Sequence, residues 1–448
     1  MGIGRTVDLL VELEASALEE DAVNAAPSPT VDVSESKFSI DYGRKLLSSL
    51  PLQRDFGAIL RLFPGSVGEG PVFDRSASIL GGTVRSQRVL VDGAYVGDSN
   101  SSLPMYNINV DAIEEIEFIG AAMPAEIGAT DGSLINIVTR TGGNAFEGGL
   151  TAYYTGRGLS KDMFSADALK GLGIVPPEKF DVYRDFSLDL GGMLWEDRAW
   201  AYLAGRLQSW QITNPYSPES RLAQLGIDNS PHFDWSRREW MTFFHLTVAP
   251  VKEFRYTGTV QLGHLFEPYN GASIAPDASA DYVPILDGEN TFSTTHQIDY
   301  LLNQDTTFEV RGTFSQQKIP LVSRTAGLYT YFDYLRQVYW GASAYNETDN
   351  RQVYGGTASV TAFADRMLGA SHEFKAGVEY EEGDSHVDWN RENPYYSLWY
   401  DYAAGNPYIV DPLNSIGRLA ITPAPTGTGD WDIQDSFRRF SAFVRDDL

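Results

Sequence analysis

The sequence predicts a mainly β chain: a small α+β domain at about 40–143, followed from residue 144 by a transmembrane antiparallel β-barrel wall of about ten strands. Three observations predict it. Short helical and strand patterns mix before residue 143. Beyond 145 the apolar residues recur at every second position. The links between those alternating runs are short and long in strict turn.

Residues 1–14 alternate Val7, Leu9, Val11 and Leu13 with Asp8, Leu10 and Glu12, which reads as a strand. No continuous apolar core follows Met1-Gly2-Ile3-Gly4-Arg5, so this is not the pattern of a secretory signal. The stretch 15–39 is rich in Ala, Glu, Ser and Pro without a sustained period and reads as a linker. From Tyr42 to Phe63, Leu46, Leu47, Leu50, Phe56, Ile59, Leu60 and Phe63 fall at helical spacings broken by Pro51. Strands follow at Arg88–Val96, at Ile113, Ile116 and Phe118, and at Leu134–Val138, with glycines at 128 and 132 turning the chain between the last two.

After 145, Phe374, Ala376, Val378 and Tyr380 alternate with Glu373, Lys375, Gly377, Glu379 and Glu381. Phe308, Val310 and Phe314, then Phe254, Tyr256, Val260 and Leu262, alternate with polar residues in the same way. Alternation alone fits a soluble β-sandwich with one wet and one dry face equally well. Connection lengths separate the two. Short links at 194–198, 249–253, 302–305 and 364–369 take turns with long ones at about 156–184, 210–238, 266–292, 318–350 and 384–435. Tight turns on one side and long loops on the other mark an outer-membrane barrel, and a soluble domain rarely carries several such loops. Trp195, Trp200, Trp210, Trp240 and Tyr300, near strand ends, suit the aromatic girdles at the two membrane surfaces, with some left to line the lumen.

Composition narrows the function classes. The 448 residues hold no cysteine, which excludes disulfides and thiolate metal sites. A formal charge of -26 argues against nucleic acid as a partner and disfavours large polyanions. No run approaches the roughly 18 apolar residues of a transmembrane helix, which leaves a barrel's dispersed signal untouched.

Little in the chain suggests covalent chemistry, and no catalytic residue or cofactor is expected. The six histidines are dispersed, and none forms a metal-ligand pair at helical spacing. His372 and His386 lie in or beside an acidic strand with Glu373, Glu379 and Glu381, which reads either as a metal site or as a hydrated lumen face. Glu381-Glu382 reads as solvated charge rather than a glycosidase pair. No nucleophile elbow, Walker loop or dinucleotide fingerprint follows a suitable strand. The fourth and fifth long loops concentrate rings, among them Tyr329, Tyr331, Tyr334, Trp340, Tyr396 and Trp399. Such rings suit sugars, peptides or aromatic chelates, or else pack on one another to order the loops.

Three segments carry a family resemblance: LPLQRDF at 50–56 with Phe63-Pro64-Gly65, RVLVDGAYV at 88–96, and the run from Asp111 to Gly148 containing IEEIEFIG and GSLINIVTRTGG. In this order, over about a hundred residues, they resemble the plug domain of TonB-dependent outer-membrane receptors, most closely the Oar-like branch. Arg88, Asp92, Gly93, Gly128, Gly132 and Asn136 match the plug motif. Ile119-Gly120 and Ile127-Gly128 stand where many members have Arg-Gly and Tyr-Gly.

The resemblance implies that residues 1–14 are the last strand of an immunoglobulin-like, carboxypeptidase-regulatory-type domain. It implies a plug at 40–143, and the N-terminal half of a barrel of about 22 strands at 144–448, so that the chain is a fragment. Glu19, Glu20, Asp21, Ala22, Val23, Asn24 and Ala25 occupy the place of the TonB box, an extended segment able to add to a partner's sheet edge; an acidic linker is the alternative. The implied function is binding and import of a scarce nutrient across the outer membrane of a Gram-negative cell. Implied partners are the inner-membrane TonB complex, outer-membrane lipid, the barrel-assembly machinery and an unidentified nutrient ligand. An uncoupled surface receptor or adhesin, and a secreted soluble β-rich glycan-binding protein or enzyme, are the alternatives.

Overall fold

The computed structural model describes residues 30–31, 38–50, 54–68, 77–83, 86–99, 102–121, 123, 126–128, 132–159, 180–212, 235–270, 282–325, 327, 330–333, 338–343, 345–367, 370–391, 395–398, 419–420 and 431–447. The expected strand at 1–14, the box at 19–25, and Tyr329, Tyr334 and Trp399 lie outside them.

The N-terminal part is a mixed sheet with two short helices. Its elements are β1 (Thr30–Val31), β2 (Phe38–Gly43), α1 (Arg44–Ser49), α2 (Phe56–Leu60), β3 (Ser66–Gly68), β4 (Ala77–Ile79), β5 (Arg88–Val91), β6 (Ala94–Tyr95), β7 (Ile113–Ala121) and β8 (Leu134–Thr139). Six of them pair in the order β1-β2-β7-β8-β5-β6, with β5 and β8 parallel. The stretch expected to be a linker contributes β1 and the first two residues of β2. Asp55 starts α2 by accepting from the Ala58 amide at 2.8 Å. Burial pushes its carboxyl above the ordinary value, against the pull of the amides it caps. The apolar positions read from the sequence meet in one core: Phe118 lies 5.6 Å from the Tyr42 ring and 5.1 Å from Phe63, with Leu60, Ile116, Ile135 and Ile137 buried around them.

The tightest turn in this sheet is Asp92-Gly93. Both residues have positive φ, 50° and 73°, which a two-residue hairpin between β5 and β6 requires. A Cβ on Gly93 would stand 2.3 Å from Arg311 of the large sheet, whose guanidinium donates to the Gly93 carbonyl at 2.9 Å.

The large sheet is built from β9 (Glu147–Gly156), β10 (Phe180–Trp195), β11 (Ala199–Ile212), β12 (Trp235–Val251), β13 (Phe254–Glu267), β14 (Ile285–Asn303), β15 (Thr306–Val322), β18 (Tyr345–Met367), β19 (Ala370–Arg391) and β22 (Trp431–Asp447). Each pairs antiparallel with its neighbours, and β9 and β22 form the two edges. Short links at 196–198, 252–253, 304–305 and 368–369 alternate with long ones, as the sequence predicts. The last long connections carry β16 (Thr330–Asp333), β17 (Val338–Gly341), β20 (Tyr395–Leu398) and β21 (Leu419–Ala420), joined as a separate sheet β17-β16-β20-β21. The large strands run further toward those links than alternation of apolar residues indicates. β18 and β19, of 23 and 22 residues, continue beyond their apolar stretch with polar residues on both faces.

Burial is inverted relative to a water-soluble sheet. Leu188, Leu203, Leu207, Leu262, Val310, Val360 and Val378 are exposed, while Asp185, Arg206, Gln208, Gln261, Ser315 and Glu381 between them are buried. Apolar side chains outward and polar ones inward are what a barrel wall in lipid needs. The soluble sandwich and the secreted soluble protein fall on this pattern. Trp195, Trp240 and Tyr300 stand on the exposed side as girdle residues should. Trp210 does not: it is 2% exposed and faces inward, because two-residue alternation along β11 puts it on the same face as Arg206 and Gln208.

Candidate functional site

The N-terminal sheet sits against the polar inner face of the large sheet, and charged side chains make most of the join. Arg88, at the start of β5, donates to Glu379 at 2.7 Å and to both oxygens of Glu381, and its guanidinium lies 4.7 Å over the Tyr95 ring. Glu381 also accepts from Arg439 of β22 at 2.8 Å. The side chains of Arg88 and Glu381 are 4% and 3% exposed, so this cluster is removed from water. It stands in place because the Glu379 and Glu381 side chains point inward from β19 at successive odd positions, one pleat apart.

Arg54 makes a second clamp. It pairs with Asp111 of its own domain and with Asp185 of β10 at 3.0 Å, while Arg206 of β11 holds Asp185 at 2.6 Å and donates to the Arg54 carbonyl at 2.6 Å. Arg140, just past β8, reaches Asp189 at 2.6 Å and the Tyr202 hydroxyl at 2.8 Å. Glu126 takes Lys375 and, at 2.6 Å, Arg445. Asp92 accepts from the Thr139 amide at 2.9 Å and its hydroxyl at 2.7 Å, and that hydroxyl meets His245 Nδ1 at 3.0 Å. These contacts join segments far apart in the chain: Arg88 and Glu381 are 293 residues apart.

The expected motif residues therefore fall at the join or directly behind it. Gly128 permits close approach to the wall, since a Cβ there would lie 2.6 Å from Ser441 Oγ. Gly132 permits approach to the Ser86 carbonyl, which a Cβ would meet at 2.3 Å. Asn136 is buried with its Oδ1 unpartnered among the described residues.

Two expectations are corrected. Glu381 and Glu382 are neither a pair nor alike in hydration: Glu381 is buried on Arg88, whereas Glu382 faces outward, accepting from Arg438 at 2.8 Å and from the Tyr380 hydroxyl at 2.8 Å. Period two also separates His372 and His386, on the outward face of β19, from Glu373, Glu379 and Glu381 on the inward one. A metal site shared between these histidines and glutamates is thereby excluded, and so is a lumen position for either histidine. His372 instead meets Asp446 at 2.9 Å.

Sequence reasoning missed the carboxylates Asp185 and Asp189 and the basic residues Arg54, Arg140 and Arg206. The available signal was charge at the inward positions of alternating strands and in the LPLQRDF motif. Also missed was an inward aromatic cluster at the long-link ends of β10, β11 and β12, where Trp210 and Trp235 meet at 4.7 Å, nearly perpendicular, beside Tyr183 and Val283. Of the loop aromatics, Tyr331 pairs in register with both Trp340 and Tyr396, which places three of the candidates in one row across β17, β16 and β20. A cavity of about 700 Å³ lies between α1 and β9–β10, lined by Arg44, Arg54, Asp111, Arg140, Tyr153 and Tyr183.

A mixed-sheet domain joined by ion pairs to the inner face of a wall that is apolar outside is a plug-and-barrel arrangement, the fold seen in solved outer-membrane transporters and receptors. No family model matches the chain. It is similar to the TonB-dependent transporter Oar of Myxococcus xanthus, with 24% identity over 236 residues, which are 51% of this chain and 21% of that protein. Among solved structures it is similar to the outer-membrane transporter YddB from Escherichia coli, with a TM-score of 0.64 at 13% identity, over 91% of this chain and 54% of that one. The siderophore receptor PirA from Acinetobacter baumannii gives 0.60 at 14%, over 91% and 54%. The chain thus spans about a fifth of the curated relative and about half of the solved structures. These relatives are transporters and receptors, not enzymes, and Oar represents the branch to which the motifs pointed.

Proposed function

We propose that this chain is the plug and the first part of the barrel of a receptor that binds a scarce nutrient at the surface of a Gram-negative cell and imports it with energy delivered through TonB. The observation that carries this reading is the charged join between the small domain and the wall. A permanent core would be apolar, whereas a plug that has to move is better held by ion pairs that water can replace. Surrounding lipid and the barrel-assembly machinery are the partners the wall requires, and the segment Glu19–Ala25 is the proposed site of TonB engagement.

Ligand first lands on the long-link side, on the aromatic row of Tyr331, Trp340 and Tyr396 or on the cluster around Trp210. A ferric siderophore is the first cargo to try, since PirA is described as a siderophore receptor. The test is uptake of a panel of labelled chelates by cells carrying the complete reading frame, with and without residues 19–25. Uptake that disappears with the segment while the protein remains in the outer membrane supports coupled import. Uptake that survives the deletion refutes coupling through this segment, and binding without uptake in the intact protein refutes transport.

A further inference from the structure

The outward face of β19 changes character beyond Tyr380. Below it the even-numbered residues Ala376 and Val378 are apolar; above it Glu382, Asp384, His386 and Asp388 follow in succession. Register sets Asp388 directly opposite Asp432 of β22 and His386 opposite Gln434. Like charges directly across a pair of strands destabilise the pairing unless something lies between them. Here the His386 imidazole does: its Nε2 lies 3.0 Å from Asp388 Oδ1 and 3.1 Å from Asp432 Oδ1. One donor atom from each of the three residues falls within 4.8 Å of the other two.

We propose that His386, Asp388 and Asp432 bind a divalent transition-metal ion on the outer wall, beyond the apolar band. Ligands at about 2.0–2.1 Å from a tetrahedral metal stand roughly 3.3 Å from one another, close to the two separations seen. A metal on Nε2 requires the other ring nitrogen to donate, and the Gln434 side-chain amide, 3.2 Å from Nδ1, supplies an acceptor when its oxygen is turned toward the ring. One imidazole with two carboxylates favours a borderline ion such as Zn²⁺ over Mg²⁺ or Ca²⁺, which prefer cages of oxygen alone. The side chains are 36%, 56% and 63% exposed, which leaves coordination positions open to water. The bound ion removes the Asp388–Asp432 repulsion and ties β19 to β22 where the outward face has no apolar contact to join them.

The experiment is calorimetric titration of Zn²⁺ into the protein made from the complete reading frame, in detergent micelles with Mg²⁺ in excess, for the wild type, His386→Gln, Asp388→Asn, Asp432→Asn and the control His264→Gln, whose ring stacks on Trp240 elsewhere on the outer wall. All substitutions are at the surface, and heat-modifiability on a gel verifies that each variant is folded. The expected result is one saturable site whose affinity falls on the order of tenfold or more in each of the three site variants and is unchanged in the control. Co²⁺ in place of Zn²⁺ should give visible absorption that His386→Gln abolishes. Absence of a saturable site, or equal affinity in wild type and site variants, overturns the proposal and leaves His386 as a protonated bridge between two carboxylates.

Discussion

Replacing Arg88 by Met tests the charged join at its most buried point. The substitution keeps an unbranched apolar stem and removes the charged guanidinium, leaving Glu379 and Glu381 side by side with side chains 11% and 3% exposed. Breaking a buried pair from one side costs about 3–5 kcal/mol, because the remaining charge loses its partner but not its burial. Arg439 still holds Glu381 at 2.8 Å, so the lower end of that range applies. At about 1.4 kcal/mol per decade, 3 kcal/mol is roughly a hundredfold in the equilibrium between docked and released plug. Amide exchange within β5 and β8 does not report it, because those strands bond to each other in a released domain as well; thiol labelling of a Ser441→Cys reporter, at the wall position that Gly128 covers, reads that factor when compared with and without Arg88→Met in detergent. The double variant Arg88→Met/Glu381→Gln should recover part of it, since the second change removes one stranded charge. Labelling within about twofold of the unsubstituted protein in Arg88→Met would refute the idea that this cluster holds the plug.

Two further outcomes follow from other contacts. Gly93→Ala places a Cβ at positive φ and against Arg311; the loss should be roughly 1–2 kcal/mol in the β5–β6 hairpin, seen as faster exchange there with the wall strands unchanged. Leu203→Arg puts a charge on the lipid-facing side of β11, where Leu203 is 52% exposed. It should cost about 2–4 kcal/mol in a bilayer-based unfolding titration, whereas the same change at a water-facing leucine would cost almost nothing.

The parts of this fold that the sequence reveals are those encoded between near neighbours. Alternation marks the strands, Asp92-Gly93 marks a hairpin, and the link lengths tell a barrel from a sandwich. Period two states which residues share a face, but not which face meets lipid when both are polar, as they are from Glu382 to Asp388. Trp210 makes the complementary point: a tryptophan near a strand end suits a girdle, but alternation along β11 sets it on the face of Arg206 and Gln208, which turns inward. The motif exposed Arg88 and Gly93, but their partners Glu381 and Arg311 lie 293 and 218 residues away. Nothing local to either segment indicates that pairing.

The ionic character of the join also bears on what happens when it opens. Parting an oily interface exposes apolar area to water at about 25 cal/mol for each Å² and leaves a sticky surface. Parting Arg54 from Asp185, or Arg88 from Glu379, returns groups to a solvent that hydrates them strongly, and the bare wall behind them is already polar. A domain drawn aside from such a wall remains soluble and has no tendency to adhere elsewhere. In the proposed import cycle it would return to the same seat by re-forming the same ion pairs.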